Sequence, residues 1–311
     1  MKRVLLTGAS GLIGRHAGSA LVERGYEVHA VARHPPPGRD GHLNWHAVDL
    51  FDLRATEDLV AKLVPSHLLH LAWDTEPGVY LTSDVNERWR EVSAALLEAF
   101  GRHAGRRAVL AGTCFEYDWS AASEPLTEGA PLRPRSPYGV AKDALRRDAE
   151  GVAADADLSL AWGRVFFLFG PGEHPRRLVA SIAQRLLAGE PAPCSDGRQV
   201  RDFLFSAEVA RAFVALLDSP TRGPVNIASG RGVAVRHLAE LVGSAAGRPD
   251  LLQFGALPRA PDDPPRVVGD ATRLREDVGW RPVVTLSEAV ARTVTSWRCP
   301  GAEASRSPTP G

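Results

Sequence analysis

Cysteine is scarce. Three residues, Cys114, Cys194 and Cys299, are scattered over 311 positions without CxxC or Cys/His spacing, which excludes a disulfide framework and a thiolate metal site and fits a reduced compartment. Each reads as a small apolar filler. Net charge is absent as well: 37 Lys and Arg balance 37 Asp and Glu, with no long run of either sign. That removes the electrostatic footprint which nucleic acid or an anionic membrane requires. No apolar stretch approaches the roughly 20 residues needed to cross a bilayer. Met1-Lys2-Arg3 before Val4-Leu5-Leu6 imitates a signal peptide only briefly, because glycines break the apolar run and Glu23-Arg24 follow. There is no internal repeat and no metal-ligand spacing. A cytoplasmic protein with a small-molecule partner is expected, and 44% hydrophobic composition over this length supports a large core and an enzyme-sized cleft.

What is present is alternation. A β-type run at 3–7 precedes a Gly-rich turn, an amphipathic stretch from Leu12 to Arg24 and the apolar run Val28 to Ala32. Strand signals recur at 46–48, 67–73, 108–112, 158–169 and 225–228, and helical ones at 55–63, 85–101 and 235–242. Strands separated by helices of this length imply an α/β fold with a doubly wound parallel sheet. Ser136 followed by Pro137 is an N-cap and first-turn pair, so a helix is predicted from Pro137 to about Gly151. Beyond Phe169 the chain turns rich in Pro and Arg. The predicted organisation is a dinucleotide-binding domain at 1–169, with 203–230 returning to it, a smaller C-terminal substrate-binding subdomain at 170–202 and 231–298, and a flexible tail at 299–311.

Two motifs carry chemistry. Thr7-Gly8-Ala9-Ser10-Gly11-Leu12-Ile13-Gly14 lies between the first strand and the first helix. Glycines there permit a tight turn and close approach to a pyrophosphate, which the helix N-terminus attracts. Gly8, Ser10, Gly11, Leu12, Ile13 and Gly14 are therefore candidate cofactor residues. An acidic residue roughly 20 positions on would hold the ribose 2′-hydroxyl of NAD. The second strand instead ends in Arg33-His34, a cation that favours NADP(H), with Arg15 as a second candidate for the 2′-phosphate. Asp49 is a candidate for the adenine amino group. In the second motif, Tyr138 and Lys142 share a helix face four residues apart. An ammonium beside a phenol is expected to lower its pKa from about 10. Tyr138 would then protonate a carbonyl oxygen as hydride reaches carbon, while Lys142 holds ribose hydroxyls.

The order of TGASGLIG at 7–14, DL at 49–50, HLAW at 70–73, GTCFEY at 112–117, SPYGVAK at 136–142, GPGE at 170–173 and RDFLFSAEVA at 201–210 resembles the extended short-chain dehydrogenase/reductase family of nucleotide-sugar enzymes. The resemblance covers residues 1 to about 298. It implies that Thr113 acts with Tyr138 on one substrate oxygen, that Leu50, Leu71 and Ala72 line the cofactor, and that Asn86, Arg177 and Arg201 meet a nucleotide-sugar substrate. It also implies a homodimer through the helices at 86–101 and 137–151. Cys114 and Phe115 stand where sugar dehydratases of this family carry an Asp-Glu pair, so dehydration is not expected. Phe167 stands where an Asn usually contacts the substrate diphosphate.

Within that resemblance the expected activity is NADPH-dependent reduction of the C4 ketone of a dTDP- or CDP-linked 4-keto-6-deoxyhexose. A nucleotide-sugar epimerase using the same Thr, Tyr and Lys is the alternative. A non-catalytic dinucleotide sensor is the alternative from another class, disfavoured by Tyr138 and Lys142.

Overall fold

The computed structural model describes residues 2–36, 41–121, 125–260 and 263–298. Cys299 and the predicted tail lie outside them. The strands are β1 (Lys2–Thr7), β2 (Tyr26–Ala32), β3 (Asn44–Ala47), β4 (His67–His70), β5 (Arg107–Thr113), β6 (Ser159–Val165), β7 (Phe167–Phe169), β8 (Ala192–Cys194), β9 (Val200–Phe205), β10 (Gly223–Ile227), β11 (Gly232–Ala234), β12 (Leu252–Phe254) and β13 (Arg266–Val267). The α-helices are α1 (Gly14–Glu23), α2 (Leu53–Leu63), α3 (Val85–Arg102), α4 (Pro137–Asp155), α5 (Leu178–Leu187), α6 (Ser206–Asp218), α7 (Val235–Ala246), α8 (Thr272–Glu276) and α9 (Leu286–Arg298).

Seven strands form one parallel sheet in the order β10-β6-β5-β4-β1-β2-β3. The pleat sends alternate side chains to opposite faces. Val4 and Leu6 accordingly join the cluster under α1 and α6 with Ala17, Leu21 and Phe213, while Leu5 joins the one under α2, α3 and α4 with Val60, Leu96 and Leu145. Both faces are covered, so the strands read as continuous apolar runs. Each fully buried Leu or Phe contributes about 1.5–3 kcal/mol.

The strand expected at 158–169 is two strands. β6 stays in the central sheet, whereas β7 leaves it at Phe166 and pairs with β9, Phe167 opposite Phe203. β9, β11 and β13 extend this second sheet. A third apolar cluster, with Phe169, Ile182, Leu238, Val242, Val290 and Val294, fills the space among α5, α7 and α9. Asp202 of β9 is fully buried and accepts from the Ser229, Gly230 and Gly269 amides, tying the turn after β10 to this second sheet.

Because all seven strands of the large sheet run the same way, the loops after β1, β2, β4, β5 and β6 emerge along one edge. The chain winds outward from β1 through β2 and β3, then resumes at β4 on the other side of β1. Reversal of strand order opens a crevice at that edge, the usual ligand position in such sheets.

Candidate active site

The crevice is a cavity of about 1630 Å³ that reaches from the β1 turn to β9, Phe254, Leu257, Pro258 and Asp263. That exceeds the roughly 300–1,000 Å³ of a single small-molecule pocket and leaves room for a dinucleotide and a second ligand. At one end the turn after β1 is set by sterics. Gly8 has φ +68°, and a Cβ on it would lie 2.7 Å from the Ala72 nitrogen. A Cβ on Gly14 would lie 2.0 Å from the Gly8 carbonyl oxygen. Gly11 is exposed at the cavity wall. Helix α1 has no side-chain cap, and the Leu12 and Ile13 amides find no protein acceptor among the described residues. Free amides at a helix N-terminus beside an exposed glycine fit a pyrophosphate.

Around this turn, Ser10, Leu12, Ile13, Arg33, Asp49, Leu50, Leu71 and Ala72 all line the cavity. Arg33 is exposed at the end of β2, with no hydrogen bond or ion pair to another described residue. Asp49 accepts from the Phe51 amide at 3.1 Å. Arg15 does not join Arg33. At the second position of α1 its Nε donates to the Gly11 carbonyl at 3.3 Å, and its guanidinium lies against Gly172.

At the middle of the cavity β5 and α4 meet. Ser136 caps α4, accepting from the Gly139 amide at 3.2 Å, and Pro137 occupies the first turn. This sets the helix start and so the direction of Tyr138 and Lys142. Gly139 is required: a Cβ there would lie 2.5 Å from the Phe115 carbonyl oxygen. Thr113 ends β5 and caps the short turn Cys114–Glu116, its Oγ1 accepting from the Phe115 amide at 3.3 Å. The hydroxyl proton is thereby left to donate elsewhere, and Thr113 faces the Tyr138 phenol. Thr113, Tyr138 and Lys142 all line the cavity.

The expected lowering of the Tyr138 pKa is not found. Burial pushes it well above the ordinary phenol range, the Tyr80 phenol raises it further, and the Thr113 hydroxyl only partly offsets this. The Lys142 ammonium donates to the Ala111 carbonyl at 2.8 Å and sits 3.7 Å over the Trp73 ring. Burial lowers Lys142 itself to about 7. Burial holds both groups toward their neutral forms.

A family model described as the NAD dependent epimerase/dehydratase family matches residues 4–228, which include the glycine turn, Thr113, Tyr138, Lys142 and Arg201. The chain belongs to that family. It is 29% identical to the UDP-glucose 4-epimerase of Mycolicibacterium smegmatis over 320 residues, covering 95% of this chain and 98% of that protein. Its fold matches the UDP-glucose 4-epimerase of Thermotoga maritima with UDP-glucose, with TM-score 0.84 and 26% identity over 95% of this chain and 98% of the other. It also matches MoeE5 in complex with UDP-glucuronic acid and NAD, with TM-score 0.81 and 31% identity over 95% and 98% of the two chains.

Two substrate candidates depart from expectation. Asn86 does not reach the cavity. It is 2% exposed, and its amide is fully used: Oδ1 accepts from Trp73 Nε1 at 2.8 Å, and Nδ2 donates to the Tyr80 and Ser83 carbonyls at 2.7 and 2.8 Å. Arg201 does reach it, but buried against the Phe167 ring and ion-paired with Asp263. Arg177 lines the cavity and donates to the Thr75 carbonyl at 3.3 Å. Phe115 and Phe167 make the wall beside Tyr138 aromatic, with Phe115 6.0 Å from the Tyr138 ring.

Three further residues lie within GTCFEY, GPGE and HLAW, segments whose resemblance assigns them no role. Glu116, fully buried, accepts from the Thr113 amide at 2.8 Å, from Trp162 and from Arg164 Nε at 2.7 Å, and so anchors the end of β5. Glu173, buried at the cavity wall, accepts from the Ala180 amide at 2.9 Å, and burial raises it to about 7. Trp73 stood in view within HLAW, but nothing in one sequence reveals that it lies over Lys142.

Proposed function

We propose that this chain interconverts a hydroxyl and a ketone at C4 of the sugar in a nucleotide-linked sugar, and that its net reaction is 4-epimerisation. The observation that carries the proposal is the convergence of Thr113, Tyr138 and Lys142 on a cavity whose other wall is the glycine turn. The two similar UDP-glucose 4-epimerases, each matched over nearly its whole length, support it. In this reading the bound dinucleotide supplies one chemical service, taking a hydride from the sugar carbon and returning it. Tyr138 exchanges the proton of the sugar oxygen, Thr113 donates to that oxygen, and Lys142 orients hydroxyls and favours the tyrosinate once a ligand is bound. Arg177 and Arg201 face the substrate phosphates, the latter after release from Asp263. Residues 170–202 and 231–298 form the substrate-binding subdomain, and a homodimer through α3 and α4 belongs to the same proposal.

Arg33 favours a second reading, a net NADPH-dependent 4-ketoreductase of a dTDP- or CDP-linked 4-keto-6-deoxyhexose. A cation where a ribose-binding carboxylate would stand suits a 2′-phosphate, and an exchanging NADPH pool suits net reduction. One experiment separates the two. The purified protein is incubated with UDP-glucose and UDP-galactose, and in parallel with NADPH and 4-keto-6-deoxy sugars on dTDP or CDP. Interconversion of the first pair without added cofactor supports the epimerase. Stoichiometric NADPH oxidation in the second mixture, with no interconversion in the first, replaces it by the reductase. Inactivity in both sinks the oxidoreductase reading.

A further inference from the structure

Lys142 poses a problem that the proposed chemistry does not answer. An ammonium that is 3% exposed ordinarily needs a carboxylate, yet it forms no ion pair with a described residue and one hydrogen bond, to the Ala111 carbonyl. The titratable groups that face it are Glu116 from the turn after β5, His70 from β4 and Tyr138 on α4. Glu116 is committed to Arg164 at 2.7 Å. His70 is held neutral, down at about 3, bonded to Thr7 and Ser93. What touches the ammonium is the face of Trp73, 3.7 Å from ring centroid to nitrogen.

We propose that Trp73 is a positioning residue for Lys142: its indole face, aimed by Asn86, holds the ammonium at the middle of the cavity, where β5 and α4 meet. The inference rests on the oxidoreductase reading only in giving Lys142 a task. An indole face attracts a cation through its quadrupole and takes up none of its N–H donors. A carboxylate in the same place would occupy those donors and cancel the charge that Tyr138 needs. The indole is itself fixed. Its Nε1 donates to Asn86, whose amide is held by the Tyr80 and Ser83 carbonyls. The same turn steers the partner: the Tyr80 ring packs edge-on against Tyr138 at 4.9 Å, and the Leu81 carbonyl accepts from the Tyr138 amide at 3.2 Å. One bracket, residues 73–86, thus sets both members of the pair, which gives buried Asn86 a function though it touches no ligand.

The test reads Lys142 directly. The sequence contains three lysines, Lys2, Lys62 and Lys142, so competitive acetylation across pH, quantified by peptide mass spectrometry, yields the titration of each with two internal controls. In Trp73→Leu the Lys142 midpoint is expected to fall by about one pH unit, the worth of a desolvated cation–π contact at 1.36 kcal/mol per unit. Trp73→Phe should fall by less, and Asn86→Leu should shift in the same direction, with Lys2 and Lys62 unmoved. An unchanged or raised midpoint in a native-like Trp73→Leu overturns the proposal. Where that variant does not fold, an unshifted Trp73→Phe does the same. Labelling needs neither cofactor nor substrate, so an inactive wild-type protein would defeat the functional reading and leave this test standing.

Discussion

At the residue scale, the site works by withholding water. Tyr138 and Lys142 are both at least nine-tenths buried, and burial penalises both charged forms. In the proposed reaction Tyr138→Phe removes the hydroxyl that exchanges a proton with the sugar oxygen. It is expected to lower turnover by about 10²–10⁴-fold while leaving cofactor affinity near the wild-type value, as measured by initial rates and a binding titration. Lys142 also makes stability depend on pH. Its folded value of about 7 lies below the 10.5 of an exposed lysine. Between these values the unfolded chain binds more protons, so this group's contribution to stability rises with pH over that window. The thermal midpoint of the wild type relative to Lys142→Met should therefore climb from pH 7 to pH 10, and parallel profiles would contradict the burial argument. Arg33 speaks to cofactor choice. If it holds a 2′-phosphate, Arg33→Ala should weaken NADPH binding about 10- to 100-fold, the worth of a charge-assisted bond, and leave NADH unchanged. Equal effects on both cofactors would reduce Arg33 to a solvated surface cation.

At the element scale, two helix starts decide the geometry, and they are built in opposite ways. Helix α4 is capped by Ser136, so its start is closed to ligands and serves to aim side chains. Ser136→Ala should cost about 1 kcal/mol in a urea titration and lower turnover more than cofactor affinity, because it loosens the Tyr138 helix and not the glycine turn. Helix α1 is uncapped, and its start offers free amides that suit an anion. A Cβ on Gly14 would meet the Gly8 carbonyl oxygen at 2.0 Å and the Ala9 Cα at 2.7 Å, so the turn must move. Gly14→Ala should weaken dinucleotide binding by about tenfold or more, the scale of one misplaced hydrogen bond, as read by calorimetry. Both starts were legible in sequence, because Ser-Pro before a helix and Gly-x-x-Gly-x-x-Gly after a strand act within a few residues. The break at Phe166 was not. Phe167-Leu168-Phe169 is apolar enough for either sheet, and the choice of β9 as partner is made by residues 36 positions away.

At the scale of the whole molecule, the cavity joins the edge of the seven-stranded sheet to the second sheet and to Phe254, Leu257, Pro258 and Asp263. Ligand binding should therefore stabilise the fold. Saturation with the preferred dinucleotide at a hundred times its Kd is expected to add about 2.7 kcal/mol to unfolding, visible as a raised thermal midpoint, and the other cofactor should give less. What the sequence determined by itself was whatever depends on near neighbours or on periodicity: the alternation of strands and helices, the doubly wound class, the glycine turn, and the Tyr138/Lys142 pair on one helix face. What only the tertiary structure decided was which distant side chains meet. Asn86 looks equally suited to a substrate and to an indole; the packing of α3 against the loop after β4 assigns it to Trp73. Arg15 and Arg33 look like partners, but the rotation of α1 sends Arg15 to Gly172. The proximity of Tyr138 and Lys142 is local, whereas the burial that sets their protonation comes from Trp73, Tyr80 and Phe115 on other elements. Helical spacing is written in the chain, but desolvation is a property of everything that surrounds a group.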